Sequence, residues 1–235
     1  TESTICAIST PPGIGGIAVI RVSGQNALSC VNNFFVPRKK GTDIFQQPSY
    51  MLSLGSFINA QKETIDEVLI GVFRAPHSYT GEDIVEISCH GSVFIQQQIL
   101  RTLIDAGCSL AKPGEFTQRA FLNKKMDLSQ AEAVADLIAA DSAASHRMAL
   151  NQMRGGISEE LSNLRARLLD FVSLTELELD FSEEDVEFAD RSQLMSLANE
   201  IEELIKKLSN SFKVGNALKN GIPVAIVGET NVGKS

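Results

Sequence analysis

The sequence predicts an α+β domain followed by an all-α helical domain, with the opening strand and loop of an α/β nucleotide-binding domain behind them. Three observations carry that prediction. Up to about residue 122, short runs of alternating apolar and polar residues are interleaved with helical stretches. After Lys112-Pro113-Gly114-Glu115 the composition turns to helix formers, with apolar residues at helical spacing over long stretches. Near the end an apolar run, Pro223-Val224-Ala225-Ile226-Val227, stands directly before Gly228-Glu229-Thr230-Asn231-Val232-Gly233-Lys234-Ser235, which fits G-x-x-x-x-G-K-[ST]. The expected boundaries are 1–122, 123–220 and 221–235.

In the first domain, residues 5–9 and 16–22 read as strands around Thr10-Pro11-Pro12-Gly13-Ile14-Gly15-Gly16, where prolines fix the backbone and glycines free it. Strand alternation puts Ile17, Val19 and Arg21 on one face. A charge closing an apolar face is either an edge residue reaching water or a ligand contact. Ser23 is the expected N-cap of a short helix through Phe35, and Pro37 to Gly41 forms an exposed basic loop. Strands are expected at 50–57 and 65–74, then a turn over Pro76 to Gly81. The strand Asp83 to Cys89 places Ile84, Glu86 and Ser88 on one face, and a helix over 92–107 turns Ile95, Ile99, Leu103 and Ile104 inward.

In the second domain, Asp127 with Gln130 resembles a capping box that opens a helix running towards Met153. Helices from Ile157 and from Ser192 to Phe212 follow, each with leucine and isoleucine at helical spacing. The acidic run between them, Asp180 to Asp190, reads as a solvated connection or a metal site, and Asn216 to Gly221 as a link to the nucleotide strand.

In a phosphate-binding loop, successive backbone N–H groups point at the phosphates. Lys234 would meet the β- and γ-phosphates and the Ser235 hydroxyl would ligate Mg²⁺. A working nucleotide domain also needs a following helix, a second Mg²⁺ ligand and a base-reading loop. The expectation is therefore the front part of a longer protein, inactive by itself.

The bulk numbers exclude several classes. With 43% hydrophobic and 21% charged residues, and no apolar stretch of membrane-spanning length, the chain reads as a soluble protein without a membrane partner. No segment reads as a signal peptide, so the four cysteines are expected as reduced thiols and the location as cytoplasmic. They form no C-x-x-C pair, and the three histidines lack metal-ligand spacing. Cys89 and His90 are adjacent in a strand and point to opposite faces, which argues against a catalytic pair. A net charge of −8 requires any nucleic acid to meet a local basic patch or one on a partner.

Four stretches, TPPGIGGIAVIRVSG, SYTGEDIVEISCHG, KPGEFTQRAFLNKKMDLSQAEAVADLI and GETNVGKS, resemble the bacterial tRNA-modification GTPase family often called TrmE or MnmE, in the same order over nearly the whole chain. The resemblance implies that the first domain binds 5-formyltetrahydrofolate or a related reduced folate and forms a homodimer. It implies that the helical domain carries an inserted GTPase domain that hydrolyses GTP. With an FAD-dependent partner, in a heterotetramer, the family modifies C5 of the wobble uridine of certain tRNAs. Carried over to this sequence, the folate contacts fall on Arg21, Glu86 and Lys125, and the nucleotide contacts on Asn231, Val232, Gly233, Lys234 and Ser235. Asn231 matches the position that ligates K⁺, and the alternative is an ordinary loop asparagine. A rival expectation is a folate-dependent one-carbon carrier, and another is a nucleotide-gated scaffold with no chemistry on tRNA.

Overall fold

The computed structural model describes residues 3–180 and 191–220. Contacts divide the chain into two units, Thr1–Asp127 and Leu128–Ser235. The expected strand at 223–227, the phosphate loop with Asn231, Val232, Gly233, Lys234 and Ser235, and all of the acidic run after Asp180 lie outside the described residues.

The first unit is built on one mixed sheet. Its strands are β1 (Ile5–Ile8), β2 (Gly15–Ser23), β3 (Phe35–Pro37), β4 (Met51–Ile58), β5 (Thr64–Phe73), β6 (Ile84–Gly91) and β7 (Ser109–Leu110). They lie in the order β3-β4-β5-β6-β2-β1-β7, antiparallel throughout except for the β1–β7 pair. Alternation decides which residues enter the core. Ala18, Ile20 and Val22 of β2, Val68, Ile70 and Val72 of β5, and Val85, Ile87 and Cys89 of β6 are buried together. Helices α1 (Ala27–Asn32) and α2 (Val93–Asp105) cover that face with Leu28, Val31, Ile99 and Leu103. A third helix, α3 (Glu115–Leu122), follows β7.

Several sequence expectations shift. The Ile17, Val19, Arg21 face of β2 is the open side of the sheet, and Ile17 is 69% exposed. The core takes the residues between them, Ala18, Ile20 and Val22. Ser23 caps no helix. It is the last residue of β2, and its hydroxyl bonds the Thr80 hydroxyl at 2.7 Å and donates to Glu82 Oε2 at 2.8 Å. The helix begins only at Ala27, after Asn26, and is over before Phe35, which opens β3. In α2 the inward face includes Gln96 and Thr102, whereas Ile104 is largely exposed. At the end of the sheet, Gly91 lies against Gly15. A Cβ on Gly91 would stand 2.3 Å from the Gly15 carbonyl oxygen, so only glycine allows this approach.

The second unit consists of α4 (Leu128–Ala139), α5 (Ala143–Met153), α6 (Gly156–Asp180) and α7 (Arg191–Asn220). The expected single helix towards Met153 is two helices. Ser142 starts the second, accepting the Ser145 N–H at 3.1 Å while the Ser145 hydroxyl accepts the Ser142 N–H at 3.2 Å. That reciprocal cap satisfies backbone donors a continuous helix would have bonded internally. Gln130 Nε2 donates to the Met153 carbonyl at 3.0 Å, tying α4 to the end of α5. α5 contacts α4, α6 and α7. The expected link at 216–221 is helical through Asn220.

Candidate functional site

Arg21 and Glu86 are brought together by strand register. They are direct partners across the antiparallel β2–β6 pair, so both side chains rise on the open side of the sheet. Arg21 Nε and Nη2 donate to the same oxygen, Glu86 Oε1, at 2.9 and 2.7 Å. The guanidinium carbon lies 5.4 Å from the Tyr79 ring centre and 5.5 Å from that of Phe116, within the range of cation–π attraction. Charge, hydrogen bond and ring contacts together hold Arg21 in one orientation.

Lys125 comes from a different part of the unit. It follows α3 after Lys124, whose backbone is left-handed at φ 58°, and its Nζ donates to the Pro76 carbonyl at 2.9 Å. The Lys125 stem passes over Gly81. Arg21, Glu86 and Lys125 all line one cavity of about 540 Å³, together with Tyr50, Phe73, His77, Ser78, Tyr79 and Ile84. That volume lies within the ordinary range for small-molecule sites, about 300–1,000 Å³.

The lining is chemically mixed. Tyr50 packs edge-on against Phe73, with ring centres 5.8 Å apart, and its hydroxyl donates to the His77 carbonyl at 2.7 Å. Glu86 Oε2 takes no described hydrogen bond from the Arg21 pair, so the carboxylate keeps acceptor capacity. Aromatic walls, one carboxylate and two cations suit a flat heterocycle that presents N–H donors and carries anionic or carbonyl groups elsewhere. A reduced folate is such a molecule, and these residues fit it.

The family resemblance named Arg21, Glu86 and Lys125 but not Tyr50, Phe73, Tyr79 or Phe116. One signal was available: Tyr50 and Tyr79 are the only two tyrosines of the chain, and both reach this cavity. Cys89 and His90 do not join it. Cys89 is in the core, where burial pushes its thiol up to about 11. His90 is exposed, with Nδ1 2.7 Å from Asp66 Oδ1. Among the described residues, no group of three or more His, Cys, Asp and Glu could hold a metal, and no helix is long and apolar enough to cross a membrane.

A mixed-sheet unit bearing a polar cavity and followed by a helical unit defines a two-domain architecture, and comparison with known proteins gives it a family. The model for the GTP-binding protein TrmE N-terminus matches residues 4–125, and that for the MnmE helical domain matches residues 128–223. The chain belongs to the TrmE/MnmE family. It is 65% identical over 234 residues to a tRNA modification GTPase MnmE of Parabacteroides distasonis, covering 99% of this chain and 51% of that relative. It is 63% identical to the protein of the same name from Bacteroides fragilis, over 100% of this chain and 50% of the relative. With that of Flavobacterium johnsoniae the identity is 59%, over the same shares. The chain spans about half the length of these relatives.

Proposed function

We propose that this chain is the folate-binding and helical part of a GTPase that modifies tRNA. In this reading residues 1–122 bind a reduced folate and dimerise, residues 123–220 form the helical domain, and residues 221–235 open the GTPase domain. The protein works as a homodimer with an FAD-dependent partner in the cytoplasm, and a tetrahydrofolate carries the one-carbon unit destined for C5 of a wobble uridine. At the phosphate loop, Val232, Gly233 and Lys234 meet the GTP phosphates, Ser235 holds Mg²⁺ and Asn231 holds K⁺. The GTPase and tRNA parts of the reading are supported by the name that the relatives bear.

The observation that carries the folate reading is the convergence of Arg21, Glu86 and Lys125 on one cavity from positions 65 and 39 residues apart in sequence. Glu86 accepts the amino group and ring N–H of the pterin, while Arg21 holds the carboxylate in place and Lys125 faces anionic or carbonyl groups. The exposed apolar side chains Leu52, Leu54 and Leu69 on the same open face of the sheet support a second copy packing there.

Calorimetric titration with 5-formyltetrahydrofolate tests the site. Glu86→Ala is expected to lose about 1.5–3 kcal/mol, roughly ten- to over a hundredfold in affinity. Glu86→Gln is also weaker, because an amide cannot accept two parallel N–H groups. Unchanged affinity in both variants, with circular dichroism showing an intact fold, overturns the assignment.

A further inference from the structure

One buried cation stands outside the cavity and yet is tied to it. Arg119 of α3 is 2% exposed. Its Nη1 lies 3.2 Å from both carboxylate oxygens of Glu82, and its Nη2 donates to Glu115 Oε1 at 3.0 Å and to the Ser3 hydroxyl at 3.5 Å. Its Nε has no hydrogen-bond partner among the described residues. Burying a guanidinium is costly even when it is paired, and a well-packed apolar residue often does as well for stability. What an arginine fork adds is direction, because its planar donors hold a carboxylate in a fixed plane.

The carboxylate held here belongs to the segment that walls the cavity. Residues 76–83 lie in the connection from β5 to β6 and contribute His77, Ser78 and Tyr79 to the lining. Within that segment Glu82 is a hub. Its carbonyl accepts the Ser78 hydroxyl, its N–H donates to Thr80 Oγ1 at 3.2 Å, and its carboxylate accepts the Ser23 hydroxyl. The stretch from α3 to Lys125 grips the same segment at further points. Thr117 meets the Tyr79 hydroxyl at 2.8 Å, Asn123 Nδ2 donates to the Thr80 carbonyl at 2.7 Å, and Lys125 holds the Pro76 carbonyl. Arg119 is not among the residues that line the cavity, and its direct hold on the wall segment is through Glu82.

We propose that Arg119 is a positioning residue for the cavity: its grip on Glu82 sets the course of residues 76–83, and so the placement of Tyr79 and Ser78 around Arg21 and Glu86. The identity of the ligand rests on the folate reading above, whereas the positioning does not.

The chain contains no tryptophan and only two tyrosines, so tyrosine emission reports on this cavity alone. In a Tyr50→Phe background of the 235-residue chain, Tyr79 is the one emitter. Arg119→Met is expected to raise acrylamide quenching of Tyr79 two- to threefold without ligand, while Arg119→Lys, which keeps the charge, recovers part of the difference. With Tyr50 in place, Arg119→Met is expected to weaken 5-formyltetrahydrofolate binding at least tenfold at unchanged stoichiometry per folded chain. A purely structural role lowers the unfolding midpoint and leaves both quenching and the folded protein's affinity as in wild type, and that result overturns the proposal. If Arg119→Met does not fold, Glu82→Gln reads the same link, with smaller changes in the same direction expected, and no change in either measurement overturns it. If the wild-type chain takes up no folate, the folate reading fails, and Tyr79 quenching still decides the positioning.

Discussion

In the sheet unit the inward-facing apolar residues of β2, β5 and β6 meet those of α1 and α2 from far along the chain and disappear from the surface. In the helical unit the same residue types recur at equally regular spacing, yet among the described residues the buried apolar ones are Ala133, Ala149 and Leu197. Ile138 is 82% exposed, and Leu161, Leu168 and Val172 lie open along α6. The difference has a physical origin. A strand satisfies its backbone only by pairing, so forming the sheet already brings distant residues together. A helix closes its hydrogen bonds within itself and can carry a full apolar stripe whether or not a neighbour covers it. Periodicity thus reports a face, and only packing reports what that face meets.

The sharpest test of the contrast is thiol chemistry, since all four cysteines are buried in the sheet unit. Burial pushes Cys30 up to about 12 and Cys89 up to about 11, and only the thiolate reacts, whereas Cys6, lowered by its hydrogen bond with Cys108, is protected by being fully buried. At pH 8 the native chain is expected to show no alkylation by mass spectrometry over the time in which the urea-unfolded chain is labelled at all four positions. Rapid labelling of the native chain would mean that the sheet unit opens as readily as a surface segment.

Core truncation comes next. Phe57 is fully buried, and Phe57→Ala should cost about 3–5 kcal/mol in urea unfolding. Leu168, 41% exposed on α6, should cost only about 0.5 kcal/mol on the same substitution. Comparable losses would erase the distinction and show the α6 face covered in solution. Ser142→Ala removes the cap that starts α5, and a loss of about 0.5–2 kcal/mol with reduced helicity is expected.

The smallest effect is on acid stability. The Lys112 backbone N–H, 2.8 Å from Glu115 Oε2, holds the Glu115 carboxyl below its usual range against the opposing effect of burial, and Arg119 adds to the lowering. A native value below the unfolded one, about 4.3, favours the native state above that pH, and the gain is lost as pH falls through the native value. Glu115→Gln should therefore be less stable than wild type at neutral pH, with the gap closing below about pH 4. A gap that is constant with pH would show that the ionised carboxylate is not what matters.

Much of this arrangement was legible in the chain. Alternation marked β4, β5 and β6 nearly to the residue, and the charges of Arg21 and Glu86 stood out on otherwise apolar strands. The errors came where a local pattern had two uses. Ser23 has the chemistry of a helix cap, but its hydroxyl is drawn instead to Thr80 and Glu82, more than fifty residues away. Helical spacing continues past Ala139, but α4 stops there and the Ser142–Ser145 cap begins a new helix.

Composition and periodicity alone determined that a strand-rich half precedes a helical half, because strand and helix repeats differ and each is written locally. Tertiary structure alone decided which side of each strand became core, that Arg21 faces Glu86 across a ladder, and that Arg119 reaches Glu82 from α3. Register and packing are relations between distant residues. A one-residue slip between β2 and β6 would leave Arg21 and Glu86 on opposite faces of the sheet without changing either strand's own pattern.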